Sequence, residues 1–294
     1  MPPEAQAVPV TPAPVKMGKF AASRTIVRES WSILKQDKEL LLFPIISAII
    51  SLIAIGGLIF WYMTSMPSVD AESVKENTGV AEYAFLLVYY VVLFFIANFF
   101  QVAMYMIISA RFNGQNLGFG DGMKGAWENM GKIFLWSLIS ATVGVILRAI
   151  ADKSEIVGKI VAGILGAAWN IMTYFSLLSL VIGGKSVKDS FKESASIIRK
   201  TWGETLIVNV GVGFFFGLIT LGVAFALFVL AAIIQDFIVA IALAVIFVLY
   251  LACLSVVSST LGAIFKFALY EYGRSGKIIP GFTADVVVNA FKKK

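Results

Sequence analysis

The residues of this chain best placed to do chemistry are amides set inside long apolar runs. Asn98 and Gln101 lie three apart, and Asn170 and Asn209 follow in later runs. Three residues is close to one helical turn, so Asn98 and Gln101 share a face. Wherever water is excluded such amides must find partners, either tying helices together or lining a polar path or a cleft for lipid headgroups. Acid–base chemistry is poorly served. Histidine is absent from all 294 residues, which removes the commonest general base and metal ligand. Cys253 is the lone cysteine, so no disulfide forms within the chain, and its mid-run position suits a small packing residue. The chain has no phosphate-loop signature, no HExxH, no paired intramembrane aspartate and no metal-ligand cluster, and a Ser/His dyad is impossible. Gly114–Gly120 (GQNLGFG) is glycine-rich but follows an apolar run rather than a strand, and reads as a turn. No enzymatic activity, cofactor or metal is expected.

A second group of residues suits a membrane surface. In VKDSFKESASIIRKTW, Val187, Phe191, Ala195, Ile198 and Trp202 fall on one arc at about 100° per residue. Lys188, Lys192 and Arg199 flank that arc, with Asp189, Glu193 and Lys200 behind it. Such a helix either lies in the headgroup plane, its lysines snorkelling to phosphates, or packs on the inner face of a bundle. Ser23–Glu39 and Asp121–Lys132 have the same character, so Trp31 and Trp127 join Lys188, Lys192, Arg199, Lys200 and Trp202 as expected membrane-surface contacts.

The elements that must carry these groups are six apolar runs: Ile45–Met63, Tyr83–Ile108, Ile133–Ile150, Ile160–Gly183, Leu206–Ile234 and Phe237–Phe265. Each is long enough to cross a hydrocarbon core of ~30 Å. The composition agrees: 59% hydrophobic, 14% charged, mean hydropathy +0.87, against about 25% charged in a soluble domain. Only Gln235-Asp236 interrupts the last two runs, so a tight hairpin is expected there. Gly158, Ala162, Gly166 and Asn170 recur every fourth residue in the fourth run, as do Asn209, Gly213 and Gly217 in the fifth. Small faces of this kind let backbones approach closely, which predicts that spans four and five pack together.

The net charge of +6 is unevenly spread. Lysine and arginine concentrate in the N-terminal segment, the 109–132 and 184–205 loops and the C-terminus, leaving Lys75, Arg148, Lys153 and Lys159 for the opposite loops. This bias places both termini in the cytoplasm of a multi-pass cell-membrane protein, and points to anionic headgroups rather than nucleic acid as the partner of the basic face. Residues 1–17 read as a disordered Pro/Ala-rich tail, since no apolar segment of signal-peptide type follows a basic start. Residues 18–280 form the membrane domain, and 281–294 a short basic amphipathic helix. The acidic 64–82 stretch reads as a solvated loop.

Ser30-Trp31, Ala126-Trp127 and Ser194-Ala195 occupy equivalent places in the three amphipathic stretches, and Gly114-(x6)-Asp121-Gly122 is echoed by Gly273-(x6)-Pro280-Gly281. The chain thus parses as three units of amphipathic helix plus membrane hairpin, closed by a half unit. With an even number of spans per unit the repeats are parallel.

Tyr174–Gly213 also resembles a prokaryotic family of polytopic membrane proteins, domain of unknown function 6159. Ser194, Ile197, Ile198, Arg199, Lys200, Thr201, Trp202, Gly203 and Glu204 carry the helix motif, and Asn209, Gly211 and Gly213 the start of the next span. Phe20–Pro44 is similar to the family's N-terminal helix, extending the resemblance over most of 18–275. Gly183-Gly184-Lys185 departs from it, standing where an acidic-glycine turn is expected. The resemblance implies a six-span bundle and nothing about chemistry.

The expectation is an all-α, six-span transmembrane bundle with amphipathic interfacial helices on its cytoplasmic face. Its expected role is non-enzymatic, organising lipids or partner proteins, with self-association possible through the glycine-rich faces. A passive channel or transporter-like protein with an amide-lined path is the alternative, and an intramembrane lipid enzyme a second one.

Overall fold

The structure is a computed structural model describing residues 19–65, 74–154, 156–202, 212–234, 236–283 and Val287. All secondary structure among them is helical. In chain order the helices are α1 (Lys19–Gln36), α2 (Leu42–Ser65, preceded by a 3-10 turn at Lys38–Leu41), α3 (Val74–Phe112), α4 (Phe119–Glu128) and α5 (Met130–Asp152). They continue with α6 (Val157–Met172), α7 (Ser176–Val181), α8 (Val187–Trp202), α9 (Val212–Ile234) and α10 (Phe237–Ser275). Among the described residues, six helices are long and apolar enough to cross a membrane: α2, α3, α5, the α6–α7 pair, α9 and α10.

Local chemistry explains the boundaries. Pro44 sits in the first turn of α2, where its missing N–H costs little. The expected hairpin between the last two spans forms, and the Asp236 carboxylate caps α10 by accepting from the N–H groups of Ile238 (2.9 Å) and Val239 (3.0 Å). After α3, α7 and α10 comes a glycine with positive φ: Gly114 at 77°, Gly184 at 64° and Gly276 at 71°. A side chain is disfavoured in that left-handed conformation, so these glycines turn the chain out of each span.

The C-terminal ends of α3, α7 and α10 meet in a packed base, and α1, α4 and α8 lie against it. Tyr105, Phe175, Phe267 and Tyr270 are wholly buried there, and the rings of Phe112 and Phe267 stack at 5.6 Å. Each amphipathic helix turns a small residue inward: Ser30 on α1, Ala126 on α4 and Ser194 on α8 are all fully buried. Polar contacts fasten the base. Arg111 at the end of α3 forms a two-pronged ion pair with Asp37, just after α1. Glu39 accepts from the N–H of Phe119 at the start of α4 (2.8 Å), and Glu29 on α1 accepts from the Thr283 hydroxyl (2.9 Å).

Away from the base the molecule opens outward. In the most apolar stretches of α9 and α10 no residue is buried. An apolar surface of this extent is untenable in water and is suited to lipid.

Several expectations change. The 64–82 stretch is not simply a loop, because α3 starts at Val74 and carries the span's helix outward through residues 74–82. The fourth run is not one helix but α6 and α7, interrupted at 173–175. The last span continues past Phe265 to Ser275, giving a helix of 39 residues, roughly 58 Å long. Spans four and five are not principal neighbours among the described residues: α6 packs on α5 and α8, whereas α9 packs on α10 and α1. Gly158 and Gly166 do make a close face, but toward α5. A Cβ on Gly158 would fall 2.9 Å from the Ala151 carbonyl oxygen, and one on Gly166 would lie 3.5 Å from Leu147. Ala162 is half-buried, while Gly217 is exposed, with nothing within 4 Å of an added Cβ. Gly213 is helical, within α9. The 1–17 tail lies outside the described residues. Of the expected 281–294 helix, residues 281–283 are turn and coil, and beyond them only Val287, which is buried in the base, is described.

Candidate functional site: a polar cavity between the spans

A cavity of about 510 Å³ lies between α3, α5, the α6–α7 junction and α10. Asn98 and Gln101 reach it from α3, Ser140 from α5, Asn170 and Thr173 from α6 and its end, and Lys266 from α10. Three of the four amides singled out from sequence are therefore brought together. Asn209 lies outside the described residues. Asn98 Nδ2 donates to the Ser137 hydroxyl (3.0 Å), which in turn donates to the Ile133 carbonyl (2.8 Å). Gln101 Nε2 donates to the Tyr105 hydroxyl (3.1 Å). The first bond ties α3 to α5 and the second stays within α3, and together they hold both amides in place while their side chains still line the cavity.

Lys266 is the residue that sequence reasoning missed. By sequence it lies just past the sixth apolar run, which ends at Phe265, where a lysine is free to reach outward. Instead its ammonium turns inward and sits 4.6 Å from the centroid of the Tyr174 ring, a cation–π contact. Lys266 makes no ion pair among the described residues, and it is the one charged group among those lining the cavity. Its position nine residues before the end of α10 places it roughly 14 Å of helical rise from that end. Counted from the other end it lies 29 residues, roughly 44 Å of rise, past Phe237, beyond a ~30 Å hydrocarbon core and level with the packed base, so an ammonium turned inward there instead of out to water marks a candidate binding group. The available signal was a lysine still inside continuous helical periodicity, eight residues before Arg274.

The break in span four belongs to the same site. Non-helical backbone at membrane depth is tolerated where it is buried in protein or lines a cavity. Here Thr173 and Tyr174 line the cavity at the break. The Thr173 hydroxyl folds back on the Trp169 carbonyl (2.7 Å), and the N–H of Phe175 is taken up by Ser194 Oγ of α8 (3.0 Å). Ser179 on α7 and Glu193 on α8 are also hydrogen-bonded.

The amphipathic helix α8 forms the cavity's backing. Phe191 packs on Trp136 (5.0 Å between centroids) and Trp169 (5.4 Å), both of which line the cavity. Ser190, Ser194, Ile197 and Ile198 are buried against the base. Of the two placements left open for this helix, these contacts fit packing on the inner face of the bundle. Lys188, Lys192 and Arg199 are exposed. Lys200 and Trp202 are helical, within α8. Trp31 is 40% exposed and Trp127 66% exposed, the latter edge-on to Phe99.

A second cavity, of about 760 Å³, lies between α2, α3 and α10 and is mostly apolar; Gln101 lines it too. Among the described residues, no group of His, Cys, Asp and Glu side chains is arranged to hold a metal ion.

These features define an all-helical protein whose six apolar helices are consistent with a multi-pass membrane protein. Residues 80–280 match the family of unknown function DUF6159, and the chain belongs to that family. No curated protein and no solved structure matches it.

Proposed function

We propose that this protein is a non-enzymatic cell-membrane component that holds membrane lipid within its helical bundle, with both termini in the cytoplasm. The observation that carries this reading is the convergence of Asn98, Gln101, Asn170 and Lys266 on one cavity between spans. A carboxylate to act as base or nucleophile is missing from the lining among the described residues, which favours binding over turnover. The exposed Lys188, Lys192 and Arg199 on α8 suit attraction to anionic headgroups at the cytoplasmic surface. Partner proteins, or a second copy of the chain, would meet the exposed apolar faces of α9 and α10.

The three-unit organisation belongs to this proposal. Its support is the positive-φ glycine that follows α3, α7 and α10, and the buried Ser30, Ala126 and Ser194 at matching places on α1, α4 and α8. In this arrangement α4 and α8 fold back on the spans before them, while α1, from the start of the chain, takes the equivalent place on α10.

Orientation is tested by single-cysteine labelling in a Cys253→Ser background. Ser186→Cys should react only from the cytoplasmic side and Ser68→Cys only from the outside; labelling of both from one side would end the topology. A second reading, a passive path, is favoured by Gln101 lining both cavities. Proteoliposome flux separates the two. Selective flux lost in Asn98→Leu and Gln101→Leu would establish the path and displace the lipid-holding reading.

A further inference from the structure

We infer that the cavity between α3, α5, α6 and α10 is a headgroup site for an anionic phospholipid, with the Lys266 ammonium as the contact to the phosphate. The inference rests on the lipid-holding reading above and specifies its ligand.

Charge is the first argument. Lys266 points into the cavity with its positive charge balanced by a ring face rather than by a carboxylate. A cation held this way in a low-dielectric setting is attractive to an anion and repels a second cation. The remaining polar groups fit the same ligand. Asn98, Gln101, Asn170, Thr173 and Ser140 surround it with amide and hydroxyl groups able to donate to phosphate or glycerol oxygens, and none adds a competing negative charge.

Size and surroundings select a lipid over a free anion. A volume of about 510 Å³ far exceeds an inorganic ion and lies within the ~300–1,000 Å³ typical of sites for organic ligands. The other walls are apolar, with Phe94, Val143, Leu147 and Leu177 available to an acyl chain or glycerol backbone. Asn170, which lines the cavity, is itself exposed, so the site is reached from outside the bundle. The break at 173–175 is explained as well, because it opens span four where the headgroup would sit.

The test uses the full chain, purified in mild detergent and equilibrated with vesicles of phosphatidylcholine alone or doped with phosphatidylglycerol; lipid retained by the protein is read by native mass spectrometry. Wild type should retain phosphatidylglycerol in preference to phosphatidylcholine. Lys266→Met should weaken that retention about tenfold or more, the scale on which one charge-assisted contact acts. Lys266→Arg should keep it, and Lys153→Gln, at an exposed position away from the cavity, should leave it unchanged. If Lys266→Met does not fold, Asn170→Leu gives the same reading through a several-fold loss. Equal retention of both lipids by wild type, or undiminished retention in Lys266→Met or Asn170→Leu, overturns the site. Loss in Lys188→Gln with Lys192→Gln but not in Lys266→Met moves the contact to the surface and overturns it too. Protection of Lys266 from an amine-reactive reagent by inorganic phosphate, with no lipid retained, would overturn the lipid as ligand. Retention of both lipids without preference overturns the anionic ligand and leaves the lipid-holding reading standing, whereas selective flux with neither lipid retained overturns both, so the two failures are distinguishable.

Discussion

The base of the molecule and its α9–α10 hairpin are built from the same kinds of residue and packed in opposite ways. At the base, Phe175 and Phe267 are at most 2% exposed, enclosed by three span ends and three amphipathic helices. On the hairpin, Phe228 is 71% exposed and Phe237 80%. Burial against protein fixes one set, while the other is left open in a way that suits lipid. Because lipid tails are as apolar as leucine, little is gained by packing the hairpin side chains against more protein. Stability should therefore be concentrated at the base, and the spans should be free to respond to what surrounds them.

The largest effect that would confirm this contrast comes from Phe267→Ala. It should lower stability by about 3–5 kcal/mol, read as thermal unfolding in detergent, because it empties a fully enclosed volume. If Phe228→Ala, on the hairpin, cost as much, the contrast would be gone. Gly122→Val comes next, at about 1–3 kcal/mol, since its Cβ would lie 2.7 Å from the Ala103 carbonyl oxygen and force α4 away from α3.

The polar fastening of the base offers a finer probe. Arg111→Ala leaves Asp37, only 11% exposed, without its cation. A loss of about 2 kcal/mol is expected, below the fully buried case because Arg111 is partly solvated. Asp37→Asn in the same chain should recover part of it, as an unmatched charge no longer remains. Ser194→Ala should cost about 1–2 kcal/mol, since the N–H of Phe175 at the break in span four loses its acceptor. An unchanged unfolding midpoint would mean that the break is not supported by α8. The smallest effect is expected at Gly217→Ala, which meets no neighbour and should be neutral or stabilising by up to ~1 kcal/mol. A large loss there would reveal a packing partner for α9 and sharpen where a second chain binds.

Much of the architecture was legible in residue order. Six long apolar runs declared the spans, Gln235-Asp236 the hairpin, and the period of Val187–Trp202 an amphipathic helix. What α8 packs against was not legible, because an amphipathic stripe has the same pattern whether it faces lipid or protein. Only the arrangement of Trp136 and Trp169 around Phe191 distinguishes the two. The Gly158–Gly166 face shows the same limit. Small residues announced a close approach, but the short α5–α6 connection delivered α5 as the partner, whereas the sequence pattern pointed to α9. The start of α3 at Val74 was hidden for a different reason: helix continues through polar residues once an apolar span has nucleated it.

The candidate site divides along the same line. That Asn98 and Gln101 share a face follows from helical geometry, and so does their need for partners in an apolar run. That they meet Asn170 and Lys266 depends on three helices distant in the chain. Sequence by itself determined which segments are long and apolar enough to cross a bilayer, since the free energy of burying apolar side chains in hydrocarbon is a local, additive property of each run. The tertiary structure alone decided that Lys266 turns toward Tyr174 and the cavity instead of out to water. A long flexible side chain goes where neighbouring helices leave room, and those neighbours are set by the packing of the whole bundle.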